Sequence, residues 1–189
     1  MRIAVIGTGH IGGTLGAKWQ AAGHDVVYGG RSAGTDGPDG KPVAAIADAL
    51  GHADVVLLAV PGPAVAEVAA ANAAALDGKI VIDATNRMGQ TEVNNHAAIT
   101  SAAPGARYAR AFNSLGWENF AEPPADANLF FAADEDARSA TEELIGAVGF
   151  EPAYVGDASA VGTVDGVGAL WFALARQSGR RKIAFRVVT

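Results

Sequence analysis

The chain begins with Met1-Arg2-Ile3-Ala4-Val5-Ile6-Gly7-Thr8-Gly9-His10-Ile11-Gly12, and this stretch decides the fold. Residues 3–6 are a short apolar, partly β-branched run, which is typical of a buried strand. A glycine-rich turn follows at once, and residues 11–22 then have the length and apolar spacing of a helix. The order strand, glycine turn, helix predicts the first half of a βαβ unit.

The same alternation continues along the chain. Further strands are predicted at residues 26–28, 55–60, 80–83, 108–112, 128–132 and 152–155, and further helices at residues 43–50, 63–76, 93–102, 136–148 and 167–177. Strands separated by helices of this length indicate a mostly parallel sheet with helices on both faces. Residues 55–60 are apolar throughout, as expected of a strand covered on both sides. We therefore predict an α/β fold, a Rossmann-type doubly wound sheet with a short C-terminal helical extension.

The glycine turn fits the pattern G-x-G-x-x-G between a predicted strand and a predicted helix, the context in which this motif is informative. Gly7 allows the tight turn, Gly9 leaves room for a pyrophosphate, and Gly12 lets the helix pack close to the strand. The helix N-terminus adds free N–H groups and a favourable dipole for phosphates. We predict a dinucleotide site here; the alternative is a structural turn that binds nothing. His10 in this loop could touch the pyrophosphate, face the reaction centre or simply be exposed.

The end of the second strand indicates which dinucleotide is bound. Arg31 lies 19 residues after Gly12 and is followed by Ser32, whereas the nearby carboxylate Asp25 stands at the other end of the strand. NAD-binding units carry an acidic residue at this point, and NADP-binding units carry a cation. Arg31 and Ser32 therefore predict NADP, although Arg31 could also be an ordinary solvated charge.

The carboxyl ends of the later strands predict where the nicotinamide lies. These ends are Ala59-Val60-Pro61, Ala84-Thr85-Asn86 and Ala111-Phe112-Asn113-Ser114. Ligands of such sheets lie beyond these ends, so the small and apolar residues are expected to form a floor for the ring. Asn86, Asn113 and Ser114 could contact a carboxamide or a substrate, or could serve only to form turns.

Composition excludes several classes of function. The formal net charge of −6 argues against a nucleic-acid partner. The absence of cysteine rules out disulfides and thiolate chemistry, and the sequence contains no metal-binding motif. No lysine falls near the predicted strand ends and no acid that would protonate a substrate is obvious, so we assign no catalytic residue; hydride transfer between two rings needs mainly their juxtaposition. The first strand starts too early for a signal peptide, and the longest apolar stretch, residues 55–61, is short, so we expect a cytoplasmic protein without a membrane partner.

Several segments resemble one known family. MRIAVIGTGHIGGTLGAKWQAAGHDVVYGGRS (residues 1–32), ADVVLLAVP (53–61), KIVIDATN (79–86) and ARAFNSLGWENF (109–120) resemble NADPH-dependent coenzyme F420 reductases and the cytoplasmic NADPH domains of membrane metalloreductases. FFAADEDA (130–137) and GFEPAYVGD (149–157) extend the resemblance to about residue 157. The sequence departs from the family at residues 33–40, where relatives often carry a helix. Its C-terminal tail is also shorter than that of the archaeal reductases.

The resemblance implies roles for individual residues. Thr8, Gly9, His10 and Ile11 would hold the pyrophosphate; Arg31 and Ser32 would hold the 2′-phosphate; Ala59-Val60-Pro61 and Ala111-Phe112 would lie by the nicotinamide. It also implies coenzyme F420 as hydride acceptor, with a flavin (FMN or FAD) as second choice.

The sequence thus predicts an NADP(H)-dependent oxidoreductase that exchanges hydride with a deazaflavin or flavin. The alternatives are a reductase of a small carbonyl or imine and a non-catalytic NADP-binding sensor. Residues 1–156 are expected to form the NADP-binding domain and residues 157–189 the helical extension. Because residues 166–174 are strongly apolar, and an isolated helix would expose Leu170, Trp171 and Leu174, we also predict a homodimer contact there. The alternative is that this helix packs back on its own sheet.

Overall fold

The computed structural model describes residues 1–188, which form one seven-stranded sheet with helices on both faces. The strands are β1 (Arg2–Ile6), β2 (Asp25–Gly29), β3 (Val55–Leu58), β4 (Ile80–Asp83), β5 (Arg107–Arg110), β6 (Asn128–Ala133) and β7 (Glu151–Gly156). The helices are α1 (His10–Ala21), α2 (Ile46–His52), α3 (Val65–Ala71), α4 (Ala73–Leu76), α5 (His96–Ala102), α6 (Trp117–Ala121), α7 (Glu135–Val148) and α8 (Val161–Ser178). Single 3₁₀ turns precede α3 (Gly62–Ala64) and α8 (Ala158–Ala160).

The strand order is β2-β1-β3-β4-β5-β6-β7, and every pair is parallel except β5 with β6. The order reverses between β1 and β3, because β2 lies on one side of β1 and the following strands lie on the other. Ligands of such sheets bind in the crevice that opens beyond the carboxyl ends of the strands at this reversal. The crevice here therefore lies beyond Ile6 and Leu58, which are paired in register.

Two hydrophobic clusters cover the two faces of the sheet. Leu15 and Trp19 of α1 pack with side chains of α6 and α7 on one face. Leu50 of α2 and Val65 of α3 pack with α4 and α5 on the other. The start of α8 joins the second cluster through Val161 and Val164, whereas its Trp171 joins the first, so α8 bridges both faces.

The predicted fold is confirmed: all seven strands form at or within a few residues of their predicted places. The helices differ more. Residues 63–76 form a 3₁₀ turn and two short helices, because the chain bends at Asn72, and α6 was not predicted. The last helix starts at Val161, six residues earlier than predicted, because Gly162, Gly166 and Gly168 mask its helical pattern.

The C-terminal extension packs on the sheet rather than standing apart. The buried residues Val161, Val164, Gly168 and Trp171 share one face of α8, and Trp171 is completely buried, not exposed as it would be on an isolated helix. Its indole Nε1 donates to the carbonyl of Ile183, and residue 128 of β6 bridges Phe185. Ala158–Ser178 is the one helix in residues 1–188 long and apolar enough to cross a membrane, which by itself is weak evidence of a span.

Candidate functional site

Two adjoining cavities open along the carboxyl ends of the strands. The first, about 490 Å³, lies beyond β1, β2 and the start of α3. The second, about 470 Å³, lies beyond β4 and β5 and reaches α6 and α8. Gly9, Ala59, Val60 and Pro61 line both, so the cavities form one cleft that runs across the reversal in strand order. Its length and position suit an extended two-part ligand.

The glycine loop forms the centre of this cleft. Gly7 has φ +113°, and a Cβ there would lie 2.5 Å from the carbonyl oxygen of Ala59, so only glycine fits. A Cβ on Gly12 would lie 2.0 Å from the carbonyl oxygen of Gly7, which shows how closely α1 approaches the loop. A Cβ on Gly9, by contrast, would meet no atom within 4 Å. The space above Gly9 is thus open to a ligand, while Gly7 and Gly12 hold the loop in place.

The N-terminus of α1 is well suited to a phosphate. Gly9 is its N-cap, with no side-chain hydrogen bond, and the first turn contains no acidic residue. The first N–H groups of a helix have no intrahelical acceptor, and the helix dipole favours an anion beside them. Open space above Gly9 and unpaired donors at the helix start therefore fit the pyrophosphate of a dinucleotide.

Arg31 and Ser32 stand at the far end of the first cavity, directly after β2. Both are exposed, and Arg31 makes no ion pair with any other residue between 1 and 188. The carbonyl of Ser32 accepts from N and Oγ1 of Thr35, which also lines the cavity. A cation and hydroxyls without a competing carboxylate fit a phosphate group.

Residues 33–45 form an ordered loop rather than a helix. Val43 N donates to the Thr35 carbonyl and Gly37 N to that of Lys41, so the loop folds back on itself. Gln20 of α1 donates to Asp39 and ties the loop to the helix. Val43 and Ile46 then form an apolar side of the first cavity, which suits a flat aromatic group such as an adenine.

Aromatic side chains dominate the outer wall of the second cavity. Trp117 begins α6, and Trp171 and Phe172 come from α8. The ring of Trp117 stacks on that of His10 with a centroid distance of 4.7 Å, so the start of α1 is joined to the start of α6. Phe120, one turn further along α6, is completely buried against Phe112 and Phe150 and is a core residue.

Glu118 and Arg181 form an ion pair at the edge of the same wall. Burial is the largest single influence on the Glu118 carboxyl and raises its pKa, but the hydrogen bond from Arg181, a backbone hydrogen bond and the charge of Arg181 together hold that pKa below its usual value. The guanidinium of Arg181 also lies 5.4 Å from the centroid of the Trp171 ring. The tail after α8 is thereby fixed beside the second cavity.

A network of buried polar side chains lies behind the cavities at the strand ends. We call it the frame; its central members are Asp83, Tyr108, Arg110 and Asp165. Arg110, fully buried at the end of β5, donates through Nε and Nη2 to Asp165 of α8 at 2.8 and 2.7 Å and through Nη1 to the carbonyl of Thr85. Asp83, fully buried at the end of β4, lies 3.3 Å from Arg110 Nη1 and accepts from the phenol of Tyr108. Burial and the charge of Asp83 raise the pKa of Tyr108 well above its usual value, so the phenol keeps its proton.

This frame uses most of the polar groups that the sequence placed by the nicotinamide. The Asn86 amide accepts from Arg110 and donates to the carbonyl of Asn113, although Asn86 still lines the second cavity. The hydroxyl of Thr85 bonds to Asp83 and accepts from Asn95, and Thr85 lines neither cavity. Asn113 lines the second cavity, and its Oδ1 is buried without a partner in the described residues.

Phe112 has the backbone conformation that turns the chain at the end of β5. Its φ of +62° lies in the left-handed region, which is strained for a residue other than glycine. Its ring packs edge-on against Trp19 and Phe120 in the core, at 5.7 and 5.8 Å between centroids. The core thus holds the strained turn, and Asn113 follows it at the cavity.

The cleft brings together most of the predicted site residues. The first cavity is lined by Gly7, Thr8, Gly9, Arg31, Ser32, Ala59, Val60 and Pro61; the second is lined by Gly9, His10, Ile11, Ala59, Val60, Pro61, Asn86, Phe112 and Asn113. Gly12, Thr85, Ala111 and Ser114 are buried behind the lining. The sequence did not point to Trp171, Phe172, Arg181 or the frame. The charges Asp83 and Arg110 at the ends of apolar strands were the signal that could have indicated the frame.

Comparisons with known proteins agree with this geometry. Residues 2–87 match the profile of the family described as NADP oxidoreductase, coenzyme F420-dependent. A solved candidate F420-dependent NADP reductase from Arthrobacter sp. FB24 is similar over all of both chains, with a TM-score of 0.86 and 24% identity. A hypothetical protein from Sinorhizobium meliloti is 27% identical, with a TM-score of 0.71, over 86% of this chain and 88% of that one. A reductive aminase from Aspergillus terreus, solved with NADPH and ethyl-5-oxohexanoate, shares 18% identity and a TM-score of 0.71 over 93% of this chain and 62% of its own.

The fold, the cleft and these similarities define the class: the chain is an NADP(H)-dependent oxidoreductase with a Rossmann-type sheet. The match over residues 2–87 supports a relationship to the family of coenzyme F420-dependent NADP oxidoreductases, which the resemblance of the sequence also indicated.

Proposed function

We propose that the protein transfers hydride between NADP(H) in the cleft and a flat ring acceptor in the second cavity, with coenzyme F420 as first choice and FMN or FAD as second. The observation that carries this proposal is the continuity of the two cavities at Ala59, Val60 and Pro61. A dinucleotide that extends from Arg31 past Gly9 would place its nicotinamide at these residues. The second cavity then offers space for a second ring directly beside it.

The residues of the first cavity bind and orient the cofactor in this proposal. Arg31 and Ser32 hold the 2′-phosphate, the N-terminus of α1 holds the pyrophosphate, and Val43 and Ile46 flank the adenine. When bound, NADPH supplies the hydride, and a proton from solvent completes the reduction of the acceptor. The reductive aminase that shares this fold was solved with NADPH, which supports the same kind of cofactor here.

The residues of the second cavity support a ring acceptor rather than a small carbonyl. Trp117, Trp171 and Phe172 provide flat apolar surfaces on which a tricyclic ring can stack. The polar groups of the floor are engaged with one another through Arg110 and Asn86. Such a site contributes mainly by holding two rings together and excluding water.

An acceptor screen tests this proposal. NADPH absorbance loss is followed with F420, FMN, FAD and a panel of aldehydes, ketones and imines under matched conditions. We expect turnover with a ring cofactor and far slower turnover with the panel. Trp117→Ala should raise KM for the ring acceptor about two- to tenfold, because it removes one aromatic contact. Trp117 also lies against His10 at the start of α1, so NADPH affinity is measured in the same variant and should change less than this KM.

Two results would contradict this function. Rapid turnover with a carbonyl or imine and none with any ring cofactor would identify a small-substrate reductase. Tight NADPH binding with no turnover of any acceptor would identify a sensor.

A further inference from the structure

We infer that Asp165 of α8 is a positioning residue that orients the Asn113 amide, so that Asn113 Oδ1 accepts a hydrogen bond from the primary amide of the nicotinamide. The inference rests on the proposed use of the cleft for NADP(H). It gives the C-terminal helix a function in the cofactor site, which the sequence did not indicate.

The starting observation is an unpaired acceptor at the cavity. Asn113 is 3% exposed, lines the second cavity, and has no hydrogen-bond partner for Oδ1 among residues 1–188. A buried acceptor without a partner is costly and calls for an explanation. The buried Oδ1 of Asn119 is also unpaired, but Asn119 lines neither cavity. Position at the cavity, and not the missing partner alone, therefore distinguishes Asn113.

The orientation of the Asn113 amide follows from its neighbour. Asn113 Nδ2 lies 3.4 Å from Oδ1 of Asp165. An ionised carboxylate only accepts hydrogen bonds, so the amide nitrogen must face Asp165, and a flipped amide would bring two oxygens together. Oδ1 therefore lies on the side of the amide away from Asp165.

Asp165 is in turn fixed from two sides. Its Oδ1 accepts from Nε and Nη2 of Arg110, and its Oδ2 accepts from Asn94 Nδ2 at 2.8 Å. The guanidinium of Arg110 is rigid, fully buried and held by further acceptors, including Asn86 Oδ1. The carboxylate cannot rotate away without breaking these charge-assisted bonds. Arg110 and Asp165 thus set the direction in which Asn113 presents its oxygen.

An oxygen held in this way selects an N–H donor. The side-chain amide of Asn86 is a neighbouring donor, but its Nδ2 donates to the main-chain carbonyl of Asn113 and not to Oδ1. Asn113 follows Phe112 at the end of β5, and both line the cavity with Ala59 and Pro61, where the proposal places the nicotinamide. The primary amide on that ring is the N–H donor that the bound cofactor brings to this place.

The test compares two dinucleotides that differ only in this donor. NADP⁺ carries the amide, whereas 3-acetylpyridine adenine dinucleotide phosphate carries a methyl ketone. We expect the wild type to bind NADP⁺ about two- to tenfold more tightly, the value of one hydrogen bond. Asn113→Ala and Asp165→Asn should each bring the ratio of the two dissociation constants close to one. Asn119→Ala, the matched buried asparagine away from the cavity, should keep the wild-type ratio.

Adenosine 2′,5′-bisphosphate serves as the reference ligand because it lacks the nicotinamide. Its affinity should be the same in all variants, which shows that each is folded and that the first cavity works. Asn94→Ala frees Oδ2 of Asp165 and removes the acceptor of the His96 N–H, but it keeps the bonds from Arg110 to Asp165 Oδ1. This milder variant should lower the ratio of the two dissociation constants less than Asp165→Asn does.

Three results would overturn the inference. Equal binding of the two dinucleotides by the wild type would show that no N–H donor is recognised. If Asp165→Asn keeps the wild-type ratio of the two dissociation constants while Asn113→Ala loses it, Asp165 does not position the amide. An unchanged ratio in Asn113→Ala with a raised KM for the ring acceptor would assign Asn113 to the acceptor. All ratios are measured at equilibrium, so they stand even if the proposed acceptor proves wrong.

Discussion

The guanidinium of Arg31, unlike those of Arg110 and Arg181, has no carboxylate partner in residues 1–188. Arg110 is paired with Asp83 and Asp165, and Arg181 is paired with Glu118, whereas Arg31 is exposed. A cation that is already paired gains less from a ligand phosphate, because it must give up or share its carboxylate. Arg31 can therefore offer its full charge to a ligand phosphate.

Replacement of Arg31 by alanine should change the choice of coenzyme. A charge-assisted hydrogen bond contributes about 1.5–3 kcal/mol, so we expect the wild type to prefer NADP over NAD at least about tenfold. Arg31→Ala should lose most of this preference by weakening NADP binding, with NAD affinity little changed. Titration of both dinucleotides by calorimetry measures the effect.

A control for this variant lies at the amino ends of the strands, opposite the cleft. Arg107, at the start of β5, donates to the carbonyl of Gly78 and is remote from the cleft. Arg107→Ala removes the same charge and should keep the preference for NADP. Equal affinity of the wild type for NAD and NADP would refute the role of Arg31.

At the scale of secondary-structure elements, the N-cap of α1 is Gly9, which lines both cavities. Gly9 adopts an extended conformation as N-cap, which valine also tolerates, and the space at its Cβ position is open. Gly9→Val should therefore fold normally but fill the space of the pyrophosphate, and we expect it to abolish NADP binding. Circular dichroism and cofactor titration on the same sample measure fold and binding.

The control for this variant is another glycine with open space. A Cβ on Gly146 of α7 would meet no atom within 4 Å, and Gly146 lines neither cavity. Gly146→Val should bind NADP as the wild type does. A folded Gly9→Val protein with wild-type affinity for NADP would mean that the loop is structural only.

The sequence predicted the strands and the glycine loop because these depend mainly on the local pattern of residues. Most strands contain a short apolar or β-branched run, and the glycine loop carries its own geometric requirement at Gly7, so both were predictable. α6 was missed because it has five residues and no periodicity of its own. The frame was missed for a different reason: Arg110 and Asp165 are 55 residues apart, and only the folded chain brings them together. Tertiary contacts, not spacing, determine that part of the site.

At the scale of the whole molecule, α8 has two different faces. One face is buried against the sheet through Val164 and Trp171, and Asp165 on this face contacts Arg110 and Asn113 beside the second cavity. On the other face Leu170 is 51% exposed and Leu174 is 40% exposed, one helical turn apart. Close packing of the first face leaves the second without a partner in the described chain.

We predict that this outer face of α8 forms a twofold contact between two copies of the chain, the commonest arrangement of soluble oligomers. Light scattering at micromolar concentration should then give twice the mass of one chain. Leu170→Glu combined with Leu174→Glu should give a monomer of unchanged secondary structure, because exposed positions tolerate a charge whereas an apolar interface does not. Met88→Glu, at a residue that is 62% exposed in the loop after β4, is the matched control and should remain dimeric. A monomeric mass for the wild type would contradict the contact, and a dimer that survives both leucine substitutions would place it on another surface.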